Sequence, residues 1–248
     1  MHSNRPEANA HPVIGVIGGM GPEATVDLMR RVIAKTPAQD DADHIHLIVE
    51  SNPKIASRLA HLLDRTGPDP TPELMRIARN LERAGADALA MPCNTAHAYA
   101  DAIRGSVCIP LLNMVELTAD RLAAQSPGAR VGLLATSAVH RMGLYEQALA
   151  RRGLRAVVPA EQDTTMELIK AVKQGQTGVA IRLRLAELAR RFSGQADVLL
   201  IACTDLSAIS SDIDSVFVDA ADVLTNAILK FAGVTAAHVG NPPAKRTP

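Results

Sequence analysis

The sequence lacks tryptophan, and aromatic residues make up only 2% of its 248 residues. The core must therefore be built from Leu, Ile, Val, Ala and Met, which suits helices packed on a parallel sheet better than an all-β sandwich. Basic and acidic residues number 26 each, so no net charge attracts nucleic acid or an anionic membrane. No apolar run approaches the ~20 residues that a membrane-spanning helix needs. We therefore expect neither a nucleic-acid nor a membrane partner.

Cysteine is also scarce, and Cys93, Cys108 and Cys203 lie far apart in the chain. Their spacing matches neither a zinc site nor a disulfide framework, and an odd number of thiols suits a reducing compartment. The first residues are polar and lack the apolar segment of a signal peptide. The sequence thus predicts a cytoplasmic protein without a metal site. It also predicts a disordered leader over 1–12 and a flexible tail over 233–248.

Two short stretches place a thiol where an apolar strand gives way to a helix-forming run. They are Pro92-Cys93-Asn94-Thr95-Ala96-His97 and Ala202-Cys203-Thr204-Asp205-Leu206. A thiol at the carboxyl end of a strand faces the first N–H groups of the next helix, whose partial positive charge lowers its pKa. Two such thiols in one cleft would form an acid–base pair, so Cys93 and Cys203 are the predicted catalytic residues. The alternative is that both are packing residues of the core.

A strand, a glycine loop and a helix begin the folded part of the chain. The apolar run over 13–17 leads into Gly18-Gly19-Met20-Gly21-Pro22 and a predicted helix that ends at Lys35. This is the part of an α/β fold that commonly meets a ligand, but the glycine spacing does not fit the dinucleotide fingerprint. We therefore expect no NAD cofactor. Further strands are predicted over 44–50, 88–91, 107–112, 157–159, 196–201 and 217–219, and another begins at Arg130.

The pattern of strands and helices occurs twice. The interval between the strand starts at Ile14 and Val131 is close to the interval between Cys93 and Cys203. The chain is therefore predicted to be an α/β protein of two pseudo-twofold-related lobes. Each lobe is a mostly parallel sheet flanked by helices, and the active site lies in the cleft between them. We place the lobes at 13–115 and 116–219, with a closing helix at 220–232 that crosses back to the first lobe.

Four segments in this order resemble the aspartate/glutamate racemase family, most of all its aspartate racemase branch. They are Ile14-Gly15-Val16-Ile17-Gly18-Gly19-Met20-Gly21-Pro22-Glu23-Ala24-Thr25, the two cysteine stretches, and Leu133-Leu134-Ala135-Thr136. The resemblance implies the same two-lobed fold and inversion of an amino-acid α-carbon without pyridoxal phosphate, metal or any other cofactor. It also implies one cysteine on each face of the substrate, and a homodimer.

The resemblance also implies a set of substrate-binding residues. Asn94 and Thr95, with Thr204, would hold the α-carboxylate, and Thr136 would reach the same cleft from the second lobe. Arg58 would bind the distal carboxylate of the substrate, since it follows the second strand in the setting Asn52-Pro53-Lys54-Ile55-Ala56-Ser57-Arg58. The remaining members of the predicted site are Met20, Asn52 and Lys173, of which Lys173 would assist Arg58.

Departures from the family pattern leave the substrate open. Ala56 and Ser57 precede Arg58 where the family often has Pro and Asp, and Asp205 stands where it often has Glu. Other carbanion enzymes are alternatives: a racemase of other amino acids or hydantoins, a decarboxylase, or a maleate-type isomerase with a nucleophilic cysteine. A protein that only binds a dicarboxylate is a further alternative.

Three other residues receive structural interpretations. His97 lies four residues after Cys93, and without further metal ligands nearby it is interpreted as a structural or supporting residue. Cys108 is interpreted as a packing residue inside the strand over 107–112. His140 is equally compatible with a solvated and with a functional role.

Overall fold

The structure is a computed structural model that describes residues 12–234. The predicted leader over 1–12 and tail over 233–248 lie outside these residues, apart from Pro12, Gly233 and Val234. Among the helices of the described part, none is long and apolar enough to cross a membrane.

The strands form two four-stranded sheets, and every strand pair in them is parallel. The first sheet has the order β2-β1-β3-β4 and the second has the order β6-β5-β7-β8, so the two share one topology. This confirms the predicted two-lobed α/β fold. The strands are β1 (Ile14–Gly18), β2 (Leu47–Ser51), β3 (Ala88–Ala90), β4 (Leu111–Leu112), β5 (Arg130–Ala135), β6 (Arg155–Val157), β7 (Val198–Ala202) and β8 (Phe217–Asp219).

Helices connect the strands and cover the faces of both sheets. In chain order they are α1 (Pro22–Lys35), α2 (Thr71–Arg83), α3 (Ala100–Arg104), α4 (Met114–Gln125), α5 (Ser137–Arg141), α6 (Leu144–Ala150), α7 (Gln162–Lys173), α8 (Val179–Ser193), α9 (Thr204–Ser207) and α10 (Ala220–Phe231). A single π-helical turn spans Ala60–Asp64, and short 3-10 turns span Asp41–Asp43, Thr95–Tyr99 and Ser210–Asp212. The lobe boundary predicted at 115/116 lies in the first turn of α4.

The two halves repeat the same local contacts at the start of each sheet. The carboxylate of Asp87 accepts a hydrogen bond of 2.8 Å from the backbone N–H of Val13, and Asp197 accepts one of 2.8 Å from that of Arg130. Glycine also occupies equivalent places, since a Cβ on Gly15 would lie 2.9 Å from Ala86 and a Cβ on Gly132 would lie 2.8 Å from Leu199. These shared features show that the two halves have the same local structure at the start of their sheets.

One hydrophobic core joins the two sheets. It contains Ile14 and Val16 of β1, Val131 of β5 and Leu200 of β7 in a single cluster of buried side chains. Helix α10 belongs to this cluster through Leu224 and packs against both α1 and α4. Because α10 follows the last strand of the second sheet and α1 follows the first strand of the first sheet, their contact joins the two sheets at the ends of the described part of the chain.

The strand predicted over 107–112 is much shorter in the structure, and the interpretation of Cys108 was wrong. Only Leu111–Leu112 pair with β3, and Cys108 is exposed. Pro110 has no N–H to donate to a sheet, which ends the pairing on this side. The N–H groups of Cys108 and Ile109 instead donate to the carboxylate of Glu82 at 2.6 and 3.2 Å.

Candidate active site

A cavity of about 590 Å³ lies at the carboxyl ends of the strands and is lined by both halves of the chain. Its volume falls in the usual range of small-molecule sites, roughly 300–1,000 Å³. Gly19 follows β1, Cys93 follows β3, Thr136 follows β5 and Cys203 follows β7, so equivalent strand ends of the two sheets supply the wall. The topology therefore brings the two thiols, far apart in sequence, to one cavity.

Nearly all of the residues predicted for the site line this cavity. They are Met20, Arg58, Cys93, Asn94, Thr95, Thr136, Lys173, Cys203 and Thr204. Asn52 is the exception, because its side chain is used within the loop after β2. Its Nδ2 donates to Glu73 at 2.7 Å and its Oδ1 accepts from the N–H of Lys54 at 2.9 Å. The neighbouring residues Pro53 and Ile55 line the cavity instead.

The Cys93 loop is attached to the second half by three hydrogen bonds. The hydroxyl of Thr204 donates to the carbonyl of Pro92 at 3.1 Å. The hydroxyls of Thr95 and Thr136 lie 3.1 Å apart, and the hydroxyl of Tyr145 donates to Oδ1 of Asn94 at 2.6 Å. The motif analysis missed Tyr145, which lies on α6 and outside every recognised segment.

Cys203 does not have the lowered pKa that its position after a strand predicted. Burial, followed by the negative charge of Asp205, raises the pKa of the Cys203 thiol to about 12. The N–H groups of Leu206 and Asp205 act in the opposite direction, but α9 has only four residues and supplies little of the helix dipole. Cys203 is therefore a thiol at neutral pH.

Cys93, unlike Cys203, is not followed directly by an α-helix. The residues after it form the 3-10 turn Thr95–Tyr99, and the α-helix begins only at Ala100. The helix-forming run predicted after Cys93 is therefore split into two short pieces. Cys93 is buried, with 6% of its surface exposed, and the neighbouring Asn94 is buried at 3%.

A lysine and an aspartate meet beside Cys203. The Nζ of Lys173 lies 2.9 Å from Oδ2 of Asp205, and the Sγ of Cys203 lies 4.0 Å from the same oxygen. Burial opposes the charged form of Lys173, but the carboxylate of Asp205 outweighs it and the pKa of Lys173 lies above its ordinary value. The negative charge of Asp205 thus balances that of Lys173, which with Arg58 was predicted to bind the substrate.

Arg58 lines the same cavity and has one donor without a partner. Its Nη1 donates to the carbonyls of Ala56 and Ile55 at 3.0 and 3.4 Å, which holds the guanidinium in place. Its Nε is buried and has no hydrogen-bond partner within residues 12–234. A buried N–H without an acceptor is costly, so this group is suited to bind an anion that enters the cavity.

His97 supports the Cys93 loop from behind. The N–H of Met114 donates to Nε2 of His97 at 3.1 Å, so Nδ1 has the proton and donates to the carbonyl of Cys93 at 2.9 Å. His97 thus caps the start of α4 and fixes the backbone of Cys93. Burial lowers its pKa from 6.5 to about 4, and the hydrogen bond to Cys93 opposes this only in part.

His140 lies outside the cavity. Its Nδ1 is 3.0 Å from Oε1 of Glu146, and it is largely buried rather than solvated. In the described part of the chain, no three His, Cys, Asp or Glu side chains are grouped as metal ligands would be.

The lowered pKa of His97 makes stability depend on pH. The unfolded chain binds a proton at this residue below about pH 6.5, and the folded chain does so only below about pH 4. The free energy of unfolding should therefore fall by about 3 kcal/mol from His97 alone as the pH drops through this window. Urea unfolding at a series of pH values measures this loss.

The variants His97→Gln and His46→Gln test this assignment, since His46 is an exposed histidine. His97→Gln should be less stable at pH 7 but lose less stability on acidification. In His46→Gln the free energy of unfolding should depend on pH as it does in the wild type. If the free energy of unfolding fell equally on acidification in the wild type and in His97→Gln, His97 would not be the cause of the loss.

Comparison with known proteins gives a consistent result. A family model described as Asp/Glu/Hydantoin racemase matches residues 17–228. The broad specificity amino-acid racemase RacX of Bacillus subtilis (strain 168) is 29% identical over 212 residues, which cover 82% of this chain and 89% of that protein.

Solved structures show the same fold. The aspartate racemase of Picrophilus torridus is 31% identical and superposes with a TM-score of 0.81, over 90% of this chain and 94% of that one. An aspartate racemase homologue from Pyrococcus horikoshii OT3 is 21% identical, with a TM-score of 0.68 over 89% of this chain and 98% of that one. At that identity the second likeness supports the fold alone.

Proposed function

The chain belongs to the Asp/Glu/hydantoin racemase family, and we propose that it racemises aspartate or glutamate without a cofactor, with Cys93 and Cys203 as the two acid–base groups. The observation on which this depends is the pairing of two buried thiols, each after an equivalent strand, in one cavity that is also lined by Arg58.

The two thiols supply what racemisation requires. One group must take the α-proton from one face of the substrate and another must return a proton to the opposite face. A thiolate removes the proton and becomes a thiol, while the opposite thiol donates its proton and becomes a thiolate. The enzyme therefore ends the turnover with the two protonation states exchanged. Because Cys203 is a thiol at neutral pH, it is the donor in one of the two directions.

The carbanion that forms between these steps shares its charge with the α-carboxylate. Donors that face this carboxylate stabilise it more strongly as the charge grows. Asn94 is suited to this, since its Nδ2 is buried and no other described residue accepts its hydrogens. Thr95 and Thr204 line the cavity beside it. We assign the α-carboxylate to these three residues.

The side chain of the substrate would lie toward Arg58 and Lys173. The negative charge of Asp205 already balances the positive charge of Lys173. Of these two cationic side chains, Arg58 is therefore the one whose charge is left for a ligand. One free guanidinium matches one distal carboxylate, which favours aspartate or glutamate.

A second candidate is a racemase that accepts a wider range of amino acids. The carboxylate of Asp205 lines the cavity and would meet a cationic side chain if Lys173 moved aside. The Bacillus subtilis relative has broad specificity by name. Two further predictions rest on the sequence: the protein forms a homodimer, and it acts in the cytoplasm.

The proposed reaction is tested by proton NMR in deuterated buffer without an added cofactor. L- and D-aspartate, L- and D-glutamate, alanine and lysine are each incubated with reduced protein. Loss of the α-proton signal together with inversion should be fastest for the acidic substrates. Comparable rates with lysine would favour the broader racemase. If no substrate exchanged its α-proton, the racemase proposal would fail, and a trappable adduct with maleate would favour the isomerase.

The single cysteine variants should differ in their pH dependence. Cys93→Ala and Cys203→Ala should each abolish inversion, because one face loses its acid–base group. In Cys93→Ala, residual α-proton exchange depends on Cys203, whose pKa is about 12. That exchange should be slow at pH 7 and rise about tenfold for each pH unit up to pH 10.

Asp205→Asn in the Cys93→Ala background tests the cause of the raised pKa. Removing the negative charge of Asp205 should lower the pKa of Cys203, so the rise of α-proton exchange with pH should begin at lower pH. The matched change Asp212→Asn, at an exposed aspartate paired with Arg182, should leave the curve in place. Inversion at the wild-type rate in either cysteine variant would refute the two-base mechanism.

Arg58 should determine the preference for an acidic side chain. Arg58→Ala removes a charge-assisted hydrogen bond of about 1.5–3 kcal/mol, so kcat/KM for aspartate should fall roughly ten- to hundredfold more than that for alanine. The matched variant Arg190→Ala, at an exposed arginine paired with Glu187, should change neither value. Equal losses for aspartate and alanine in Arg58→Ala would mean that Arg58 is structural.

A further inference from the structure

Tyr145 is a buried tyrosine of the second half that contacts the first half at the candidate site. Its side chain is completely buried, and its hydroxyl donates to Oδ1 of Asn94 at 2.6 Å. Asn94 follows Cys93 directly and lines the cavity, whereas Tyr145 does not reach it. Asn94 is therefore the cavity residue through which the Tyr145 hydroxyl can influence a ligand, and the same hydroxyl also lies within hydrogen-bonding reach of the buried Thr118.

We propose that Tyr145 is a positioning residue that sets the direction of the Asn94 side-chain amide, so that its two N–H donors face the α-carboxylate of the substrate. This inference rests on the proposed function. It concerns a residue that no sequence motif indicated.

The hydrogen-bond pattern of Asn94 supports the proposal. A carboxamide has an accepting oxygen at one end and two donors at the other, so a donor that binds the oxygen also fixes where the nitrogen lies. In Asn94 the oxygen is occupied by Tyr145. The nitrogen is buried and finds no acceptor among residues 12–234. The carboxylate of a bound amino acid is the acceptor that this orphan donor lacks.

The opposite direction of the amide would work against binding. If the group turned over, Oδ1 would face the substrate carboxylate and two acceptors would meet without a proton between them. Nothing in the covalent structure of asparagine prevents this rotation, so the direction depends on its neighbours. Burial also raises the pKa of the Tyr145 hydroxyl well above its ordinary value, which keeps it a donor.

A double-mutant cycle tests whether Tyr145 acts through Asn94. Tyr145→Phe deletes only the hydroxyl and should lower kcat/KM for aspartate roughly tenfold, the usual scale for one buried hydrogen bond. The loss should be visible in kcat as well as in KM, because charge on the carboxylate grows toward the carbanion. In an Asn94→Ala background, Tyr145→Phe should have no further effect, since the amide is already gone.

Tyr99→Phe is the matched control. Tyr99 is also buried, and its hydroxyl has no partner within the described part of the chain, so deleting it breaks no hydrogen bond. This variant should keep kcat/KM within about twofold of wild type, the effect expected of a change that removes no interaction. If Tyr145→Phe lowered kcat/KM equally in the wild-type and Asn94→Ala backgrounds, Tyr145 would be structural and the inference would be overturned. Wild-type kinetics in Tyr145→Phe would overturn it too.

The side-chain amide signals of Asn94 separate this inference from the proposed function. They are identified in a proton–nitrogen spectrum by their absence from Asn94→Ala. One pair of signals, both of which shift when aspartate is added, supports a single fixed direction. Two pairs, or no response to aspartate, would contradict it. This measurement uses the wild-type protein, so it tests the single direction of the amide even if no amino acid is racemised, and the double-mutant cycle then tests whether Tyr145 sets that direction.

Discussion

The Pro92–Thr95 loop belongs to the first half of the chain, but three of its polar groups are hydrogen-bonded to residues of the second half. Thr204 binds the carbonyl of Pro92, Tyr145 binds the amide of Asn94, and Thr136 lies against Thr95. These contacts satisfy polar groups that are almost wholly buried, and buried polar groups without partners are costly. A separation of the two sheets at this point that admitted no water would therefore leave these groups buried and without partners.

A second connection fixes the other cysteine loop. Nη1 of Arg31 on α1 lies 2.8 Å from Asp219 and 2.7 Å from Asp222, and its Nη2 donates to the carbonyl of Ser207. Asp219 also accepts a hydrogen bond of 2.6 Å from the hydroxyl of Ser207. Since α1 follows the glycine loop and Ser207 ends α9, this cluster keeps the glycine loop and the Cys203 loop together. Loss of Arg31 would leave the buried charge of Asp219 without its partner, a change that is strongly destabilising.

The sequence was sufficient for the framework and for most of the predicted residues that line the cavity. Strand β1 could be predicted because a parallel strand covered on both faces is apolar throughout, and the cysteine loops because they recur after equivalent strands. Cys203 shows where this reasoning stops: its pKa depends on the depth of burial and on Asp205, and neither follows from its position after a strand. Tyr145 shows a different limit. Its hydrogen bond joins residues 51 positions apart in chain order, and only the packing of the two halves brings them together.

The repeated fold supports two thiols that are chemically unlike. Cys203 has Asp205 and Lys173 beside it, whereas Cys93 is supported through its backbone by His97. Under the proposed reaction this difference cannot favour one enantiomer at equilibrium, because enantiomers have equal free energies in water and a catalyst does not alter that. It can determine which thiol has the proton when the cavity is empty. In that reaction the matching strands would place the two groups on opposite faces of a substrate, and their unlike neighbours would set which of the two protonation states the empty cavity favours.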